Sequence, residues 1–222
     1  MVKADLIDYA MAIGADTAQA APGDILEFTA AAGGAAFIVG KDIKNILATI
    51  EDVHSFSTDM PDFWRRSLAK YPEHTGRFTA EPAYFYHVEM IAKSLLEKNN
   101  MQPKDVHHVV FHQPNGKFPL QAAARLGFSE EQVLLGLLTC EIGNAYSASS
   151  LLGLAAVLDA AEPNQIILVV SYGSGSGSDG FLLKTTALLQ ERRAMARSVR
   201  DYISKKEYIS YEQYRRLSEM MY

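Results

Sequence analysis

Four features of this sequence have residue types and positions that suit chemistry at a carbonyl group. Cys140 is the single cysteine and a candidate nucleophile, and Asn144 follows it closely. His112 comes directly after the apolar run VHHVVF, where a strand is predicted to end, and functional side chains collect at strand ends in mixed sheets. The glycine-rich segment 173–180 permits a close approach of the backbone to a ligand. Each feature also has a purely structural interpretation.

The structural interpretations are specific. Asn144 precedes a predicted helix at 147–161, so it is either a helix N-terminal cap or a ligand for a carbonyl oxygen. Segment 173–180 is either a ligand loop or a tight β-turn. Its glycines fit G-x-G-x-x-G, but the following FLLKTT is predicted to be a strand, and a dinucleotide site requires a helix there. Those glycines are Gly175, Gly177 and Gly180.

Composition favours one sizeable globular domain, or part of a larger one. The chain has 222 residues, 48% of them hydrophobic, and a formal net charge of −5. The absence of a dense Lys/Arg block argues against a nucleic-acid binder. A single cysteine excludes an internal disulfide and a multi-cysteine zinc site, and the histidines lack ligand spacing, so no metal is expected. Without a membrane-length apolar stretch or a signal-peptide pattern, a cytoplasmic protein is expected.

Hydrophobic patterns predict a mixed α/β arrangement. Strands are predicted at 6–13, 30–40, 106–112, 165–173 and in FLLKTT, and another is expected to carry Cys140 toward Asn144. Helices are predicted from Glu81 to KNN, from Pro119 to Gly127, after the SEEQ capping box and over 147–161, with a helical tail from about residue 190. Segment 51–80 is predicted to be a long loop with a short helical piece, and loops of that length usually cover functional sites.

Three motifs together make the sequence recognisable. FHQPNGKFP, IGNAYSAS and SYGSGSG, in this order and at this spacing, resemble the C-terminal half of the thiolase superfamily, specifically hydroxymethylglutaryl-CoA synthases of the archaeal type. The SYGSG motif best separates these synthases from the ketoacyl carrier-protein synthases of the same superfamily, which share the His and Asn positions but usually have a different glycine-rich ending. IGADTA, GRFTAEPAYFYHV and the tyrosine-rich tail are also similar to this family. The resemblance therefore covers essentially the whole chain.

The resemblance implies an α/β, thiolase-like layered α-β-α-β-α fold that is incomplete in this chain. It divides the chain into the end of the N-terminal thiolase-like half (1–52), a loop or lid segment (53–80), the C-terminal half (81–189) and a helical tail (190–222). The family's nucleophilic cysteine and glutamate acid/base lie upstream of the segment similar to IDYAMAIGADTA. Both groups are therefore expected on a partner chain, and Cys140 is interpreted as a buried small apolar residue.

Residue roles follow from the same resemblance. His112 is expected to hold and polarise the acetoacetyl thioester carbonyl, and Asn144 to orient it, because both donate hydrogen bonds without a full desolvated charge. The same pocket is expected to be lined by Ser171, Gly173 and Ser174. Lys117 is a candidate partner for the phosphates of coenzyme A, although a lone exposed lysine is often simply solvated.

The predicted function is that of a C-terminal subunit or portion of a hydroxymethylglutaryl-CoA synthase. This acyltransferase would condense acetyl-CoA with acetoacetyl-CoA in the mevalonate (isoprenoid) pathway, with coenzyme A thioesters as substrates and no tightly bound cofactor. Expected partners are an N-terminal half polypeptide carrying the nucleophilic cysteine, a second copy of the completed unit in a homodimer, and the thiolase and zinc-ribbon scaffold protein of related assemblies. A non-catalytic thiolase-like scaffold and a ketoacyl-synthase-like condensing subunit are the alternatives.

Overall fold

The described chain begins with five strands and continues with α-helices and three further strands. The computed structural model describes residues 1–17, 19–174 and 177–220, without the side chains of Ile43, Arg77 and Met220. The strands are β1 (Tyr9–Asp16), β2 (Gly33–Gly40), β3 (Ala48–Phe56), β4 (Phe63–Trp64), β5 (Glu73–His74), β6 (His108–Phe111), β7 (Ile166–Val170) and β8 (Ser178–Thr185). The α-helices are α1 (Tyr86–Lys98), α2 (Lys117–Leu126), α3 (Glu131–Leu134), α4 (Thr139–Ile142), α5 (Ser149–Leu158), α6 (Leu188–Arg192), α7 (Val199–Ile203) and α8 (Tyr211–Met220). A π-helix, Ala80–Phe85, leads into α1, and 3-10 helices lie at Ile25–Phe28, Ile43–Asn45, Gly76–Thr79, Pro103–Asp105, Tyr146–Ala148 and Arg193–Met195.

The central sheet has the order β3-β8-β7-β6. Strands β6 and β7 are parallel, and the other neighbours are antiparallel. Successive side chains of a strand point to opposite faces, so β6 contributes to two cores. Val109 and Phe111 pack with residues of α1 and α2, whereas Val110 packs with Leu154 and Val157 of α5. Helices therefore cover both faces of the sheet.

A two-stranded antiparallel ribbon, β1 with β2, forms a further layer beyond α5. Two small residues permit this close packing: a Cβ on Gly14 would lie 2.9 Å from Leu151 Cδ1, and a Cβ on Gly33 would lie 2.9 Å from Leu152 Cδ1. The order of layers is α1 and α2, the central sheet, α5, and the ribbon. This is the expected thiolase-like layering, in part.

The outer face of the ribbon is apolar and exposed. Tyr9, Met11, Ile13 and Ile38 lie on this face, and each is at least 60% exposed. A contiguous apolar face of this kind is typical of a surface that contacts another protein. None of the helices in the described residues has the length and apolar character needed to cross a membrane.

Two predicted elements near the N-terminus differ from the structure. The strand predicted at 6–13 spans Tyr9–Asp16, because the chain turns at Asp5, which has a positive φ of 57°. The prediction of a loop from residue 51 was wrong, since β3 continues to Phe56. The polar run EDVHS concealed this strand because β3 is the edge of the sheet and its side chains alternate in exposure. The domain boundary predicted after residue 52 falls inside it.

The prediction for Cys140 was wrong in both respects. The residue lies in the short helix α4, not in a strand, and it is exposed rather than buried. An apolar run such as LLGLLTC does not distinguish strand from helix by its pattern alone. The chain is turned here by Gln113, whose Oε1 accepts hydrogen bonds from the backbone N–H groups of Leu138 and Thr139 at 2.7 and 2.9 Å.

Other predicted elements are confirmed with shifted ends. Helix α2 ends at Leu126 and is capped by Gly127, which has the left-handed φ of +83° that suits glycine. SEEQ begins only the one-turn helix α3, where the Ser129 N–H donates to Gln132 Oε1 at 2.7 Å. The tail is helical in separate pieces. The strand predicted after the glycine-rich segment is β8, which confirms the argument against a dinucleotide site, while Gly175 lies outside the described residues.

Candidate active site

One cavity of about 290 Å³ opens where the end of β6, the start of α5 and the loops around them meet. Among the predicted site residues, His112, Asn144, Gly173 and Ser174 line it together. The remaining wall consists of Leu26, Thr29, Phe63, His74, Thr79, Tyr84, Pro114, Phe118, Tyr146, Ser147 and Tyr172. Lys117 and Ser171 are not part of this wall. Motifs far apart in the sequence thus converge on one cavity.

His112 is the first residue after β6 and is fixed through its backbone. Its N–H donates to the Val170 carbonyl at 2.8 Å, and its carbonyl accepts a hydrogen bond from the Tyr84 hydroxyl at 2.7 Å. The imidazole has no hydrogen-bond partner among the residues that the structure describes. Burial disfavours the charged ring and lowers the pKa of His112 from 6.5 to about 4. At neutral pH it is an uncharged hydrogen-bonding group that lines the cavity.

Gln113 holds the chain in place immediately after His112. Its Nε2 donates to the Gly136 carbonyl at 2.8 Å, and its backbone N–H donates to Ser149 Oγ at 3.1 Å. With the two bonds that Oε1 accepts, this buried amide connects the end of β6 to α4 and α5. This role was not predicted from the sequence, since the bonds of Gln113 join residues 23 to 36 positions apart.

Asn144 caps the turn before α5 and also lines the cavity. Its Oδ1 accepts a hydrogen bond from the Tyr146 N–H at 2.8 Å, which caps the turn before α5. Its backbone pairs with a segment near the ribbon, donating to the Thr29 carbonyl at 2.6 Å and accepting from the Ala31 N–H at 3.0 Å. Because Oδ1 is engaged, the Nδ2 group is the end of the amide left to donate to a ligand in the cavity.

A buried carboxylate, Asp62, which was not predicted from the sequence, supports the part of the wall formed by Tyr172 and Ser174. Asp62 is 1% exposed, and its Oδ1 accepts a hydrogen bond from the Tyr172 hydroxyl at 3.0 Å. Its Oδ2 accepts from Ser174 Oγ at 3.1 Å. Burial, followed by the nearby Asp62 carboxylate, raises the pKa of Tyr172 above its ordinary value, so the phenol remains a donor. Asp62 therefore fixes two residues of the SYGSG motif.

The remaining predicted residues lie apart from the cavity wall. Lys117 is exposed at the start of α2, where its backbone N–H donates to Asn115 Oδ1 at 2.9 Å. The Ser171 hydroxyl donates to the Asp179 carbonyl at 3.2 Å, so it supports the sheet. Cys140 contributes nothing to the wall. In the described ranges, no group of three His, Cys, Asp or Glu residues is arranged to hold a metal ion.

Comparisons with known proteins show which proteins this chain is similar to. A family model described as 3-Oxoacyl-[acyl-carrier-protein (ACP)] synthase III C terminal matches residues 96–185. The hydroxymethylglutaryl-CoA synthase of Methanobrevibacter smithii is 55% identical over 214 residues, which cover 96% of this chain and 61% of that relative. The chain thus spans about three fifths of the length of the curated relatives it matches.

Two solved structures show the fold. An HMG-CoA synthase complexed with CoA matches with a TM-score of 0.78 at 22% identity, over 93% of this chain and 56% of that chain. The 3-oxoacyl-(acyl carrier protein) synthase III of Pseudomonas aeruginosa matches with a TM-score of 0.74 at 20% identity, over 83% of this chain and 60% of that chain. These matches confirm the thiolase-like fold over the part that the chain spans.

Proposed function

We propose a function from one premise: this chain is a relative of the archaeal-type hydroxymethylglutaryl-CoA synthases of the thiolase superfamily and corresponds to their C-terminal portion. The proposed activity is the condensation of acetyl-CoA with acetoacetyl-CoA, within the mevalonate route to isoprenoids. Coenzyme A thioesters are its substrates, and no tightly bound cofactor is required. The proposed location is the cytoplasm.

The observation that carries this proposal is the placement of two neutral donors on one cavity. His112 and Asn144 both line it, and each has a ring or amide nitrogen without a partner among the described residues. Such donors hold and polarise the thioester carbonyl of an acceptor, which positions its ketone for attack, and they work best when fixed before the reaction. The backbone bonds of both residues provide that fixation.

In the proposed reaction an acetyl group is carried as a thioester on a cysteine of a partner chain. A glutamate of that chain removes a proton from the acetyl methyl group, and the resulting carbon attacks the ketone of acetoacetyl-CoA. Water then hydrolyses the thioester to the cysteine and releases the product. His112 and Asn144 hold and polarise the thioester carbonyl of the acceptor, while the Asp62-supported wall at Tyr172 and Ser174 fixes the shape of the pocket.

The same proposal gives roles to two features outside the cavity. The outer face of the ribbon at Tyr9, Met11, Ile13 and Ile38 is the surface that we assign to the N-terminal half polypeptide with the cysteine and glutamate. Lys117, exposed at the start of α2, is proposed to contact the phosphates of coenzyme A. The completed unit is proposed to dimerise, with a thiolase and a zinc-ribbon scaffold protein as further partners.

A test of this proposal measures release of free coenzyme A from acetyl-CoA plus acetoacetyl-CoA. The completed pair of polypeptides should release it, and this chain alone should not, because Cys140 lies outside the cavity wall. Replacing Met11, Ile13 and Ile38 together by serine should prevent assembly of the pair, whereas changing Leu134, an exposed apolar residue of α3 outside the ribbon, to serine should not. Release by this chain alone would contradict the assignment of the nucleophile.

A ketoacyl-synthase-like condensing activity is a second candidate, favoured by the family model that matches residues 96–185. It differs in its carrier, since the acceptor thioester would be on an acyl carrier protein. Supplying acetoacetyl groups on coenzyme A and on an acyl carrier protein in parallel assays separates the two. Turnover only with the carrier protein would favour this second candidate over the synthase.

A further inference from the structure

The C-terminal helix α8 is attached to the segment that forms one edge of the cavity. The attachment point is Glu27, which lies in the 3-10 helix Ile25–Phe28, yet its side chain is only 5% exposed. Both carboxylate oxygens accept from the Tyr211 hydroxyl at 3.3 Å, and Oε2 also accepts from the Gly23 N–H at 2.8 Å. Arg215 of α8 lies 3.8 Å from Oε1.

The segment that Glu27 anchors is hydrogen-bonded to the backbone of Asn144. Leu26 and Thr29, on either side of it, line the cavity, and the Thr29 N–H donates to the Leu26 carbonyl at 3.1 Å. The Thr29 carbonyl then accepts from the Asn144 N–H at 2.6 Å, and the Ala31 N–H donates to the Asn144 carbonyl at 3.0 Å. A movement of the anchored segment therefore moves the hydrogen bonds that hold Asn144.

Gly143 packs tightly against the backbone of segment 29–31. Gly143 has a φ of +79°, and a Cβ there would lie 2.8 Å from both the Thr29 carbonyl oxygen and Ala31 Cβ. By contrast, Gly23 has nearly the same φ of +80°, but a Cβ there would meet nothing within 4 Å. Close packing transmits displacements that an open contact would absorb.

We infer that Glu27 is a positioning residue that couples helix α8 to Asn144. It keeps the Asn144 amide aimed into the cavity by fixing the segment 25–31, although it has no contact with a ligand itself. The structural coupling stands on the contacts above, and only its kinetic consequence rests on the proposed function.

Hydrogen exchange of the full chain, in whichever assembly it purifies, tests the coupling without using activity. Glu27→Ala should accelerate amide exchange by about tenfold at 211–220, and also at 29–31 and 144–146, because a hydrogen-bonded charged group is lost. Glu27→Gln retains an acceptor for Tyr211 and should keep most of the protection. The control is Glu212→Ala, an exposed acid on the same helix, which should leave exchange unchanged.

Acceleration of amide exchange confined to 211–220 would overturn the inference, since Glu27 would then hold only the tail.

In the active assembly, Glu27→Ala should slow condensation with acetoacetyl-CoA by about tenfold and leave acetylation of the cysteine unchanged, because Asn144 acts on the acceptor. If the assembly shows no synthase activity, the proposed function fails, but the exchange result still decides the coupling.

Discussion

Replacement of His112 by alanine should lower kcat/KM for acetoacetyl-CoA, measured by the release of free coenzyme A at saturating acetyl-CoA, by about 100- to 1000-fold in the completed enzyme. The change removes a donor that lines the cavity, while the backbone bonds to Val170 and Tyr84 use only main-chain atoms of residue 112 and can persist. The matched control is His54→Ala, because His54 lies on the edge strand β3, opposite Gly180, and not on the cavity wall. Equal activity of the two variants would contradict the role of His112.

The same residue has a defined pH signature. The folded protein binds the proton with a pKa of about 4, while the unfolded chain binds it near 6.5. The unfolded state therefore binds more protons between these values, and His112 makes the folded state less stable as pH falls from 6.5 toward 4. Thermal melting of the wild type and His112→Gln over this range measures the effect, which the glutamine variant should lack. A steeper acid loss in the variant would contradict this assignment.

Replacement of Asp62 by alanine should destabilise the fold by about 2–4 kcal/mol and lower activity by about 100-fold. The change leaves the Tyr172 hydroxyl and Ser174 Oγ without their acceptor inside a buried wall. Thermal melting measures the first effect, and steady-state kinetics with acetoacetyl-CoA measure the second.

Two further variants make the Asp62 prediction decisive. Asp59→Ala removes an exposed carboxylate three residues earlier and should change neither property. Asp62→Asn keeps an acceptor oxygen for one of the two hydroxyls, so it should fold and show an intermediate loss if the alanine variant does not fold. An asparagine variant with unchanged KM and melting temperature would show that the wall does not depend on this carboxylate.

Local patterns marked His112 and Asn144 as candidates, and the roles expected of them followed from the family resemblance. His112 comes after an apolar run and Asn144 precedes a small-residue helix, although each position also had a purely structural interpretation. Asp62 was not readable, since its partners Tyr172 and Ser174 are more than a hundred residues away and EDVHSFSTDMPDF has no motif for a buried acid. Pairing across such distances is a property of the folded chain.

In the fold too, local sequence patterns predicted some elements, whereas others depend on residues distant in the sequence. Strands β6 and β7 were each predicted from apolar runs, which are typical of strands covered on both faces, whereas their parallel pairing emerges only from the folded chain. The edge strand β3 was missed because it pairs only with β8 in this sheet, and β8 is far from it in the sequence. Cys140 was misplaced because the bonds from Gln113 that turn LLGLLTC into α4 come from a residue distant in sequence.

The location of the acyl group tests the central claim most directly. After incubation of the completed pair with acetyl-CoA labelled in its acetyl group, digestion and mass spectrometry identify the residue that carries the label. The label should appear on a cysteine of the partner polypeptide, with Cys140 unmodified and Cys140→Ala fully active. Label on Cys140, together with loss of turnover in Cys140→Ala, would contradict the account.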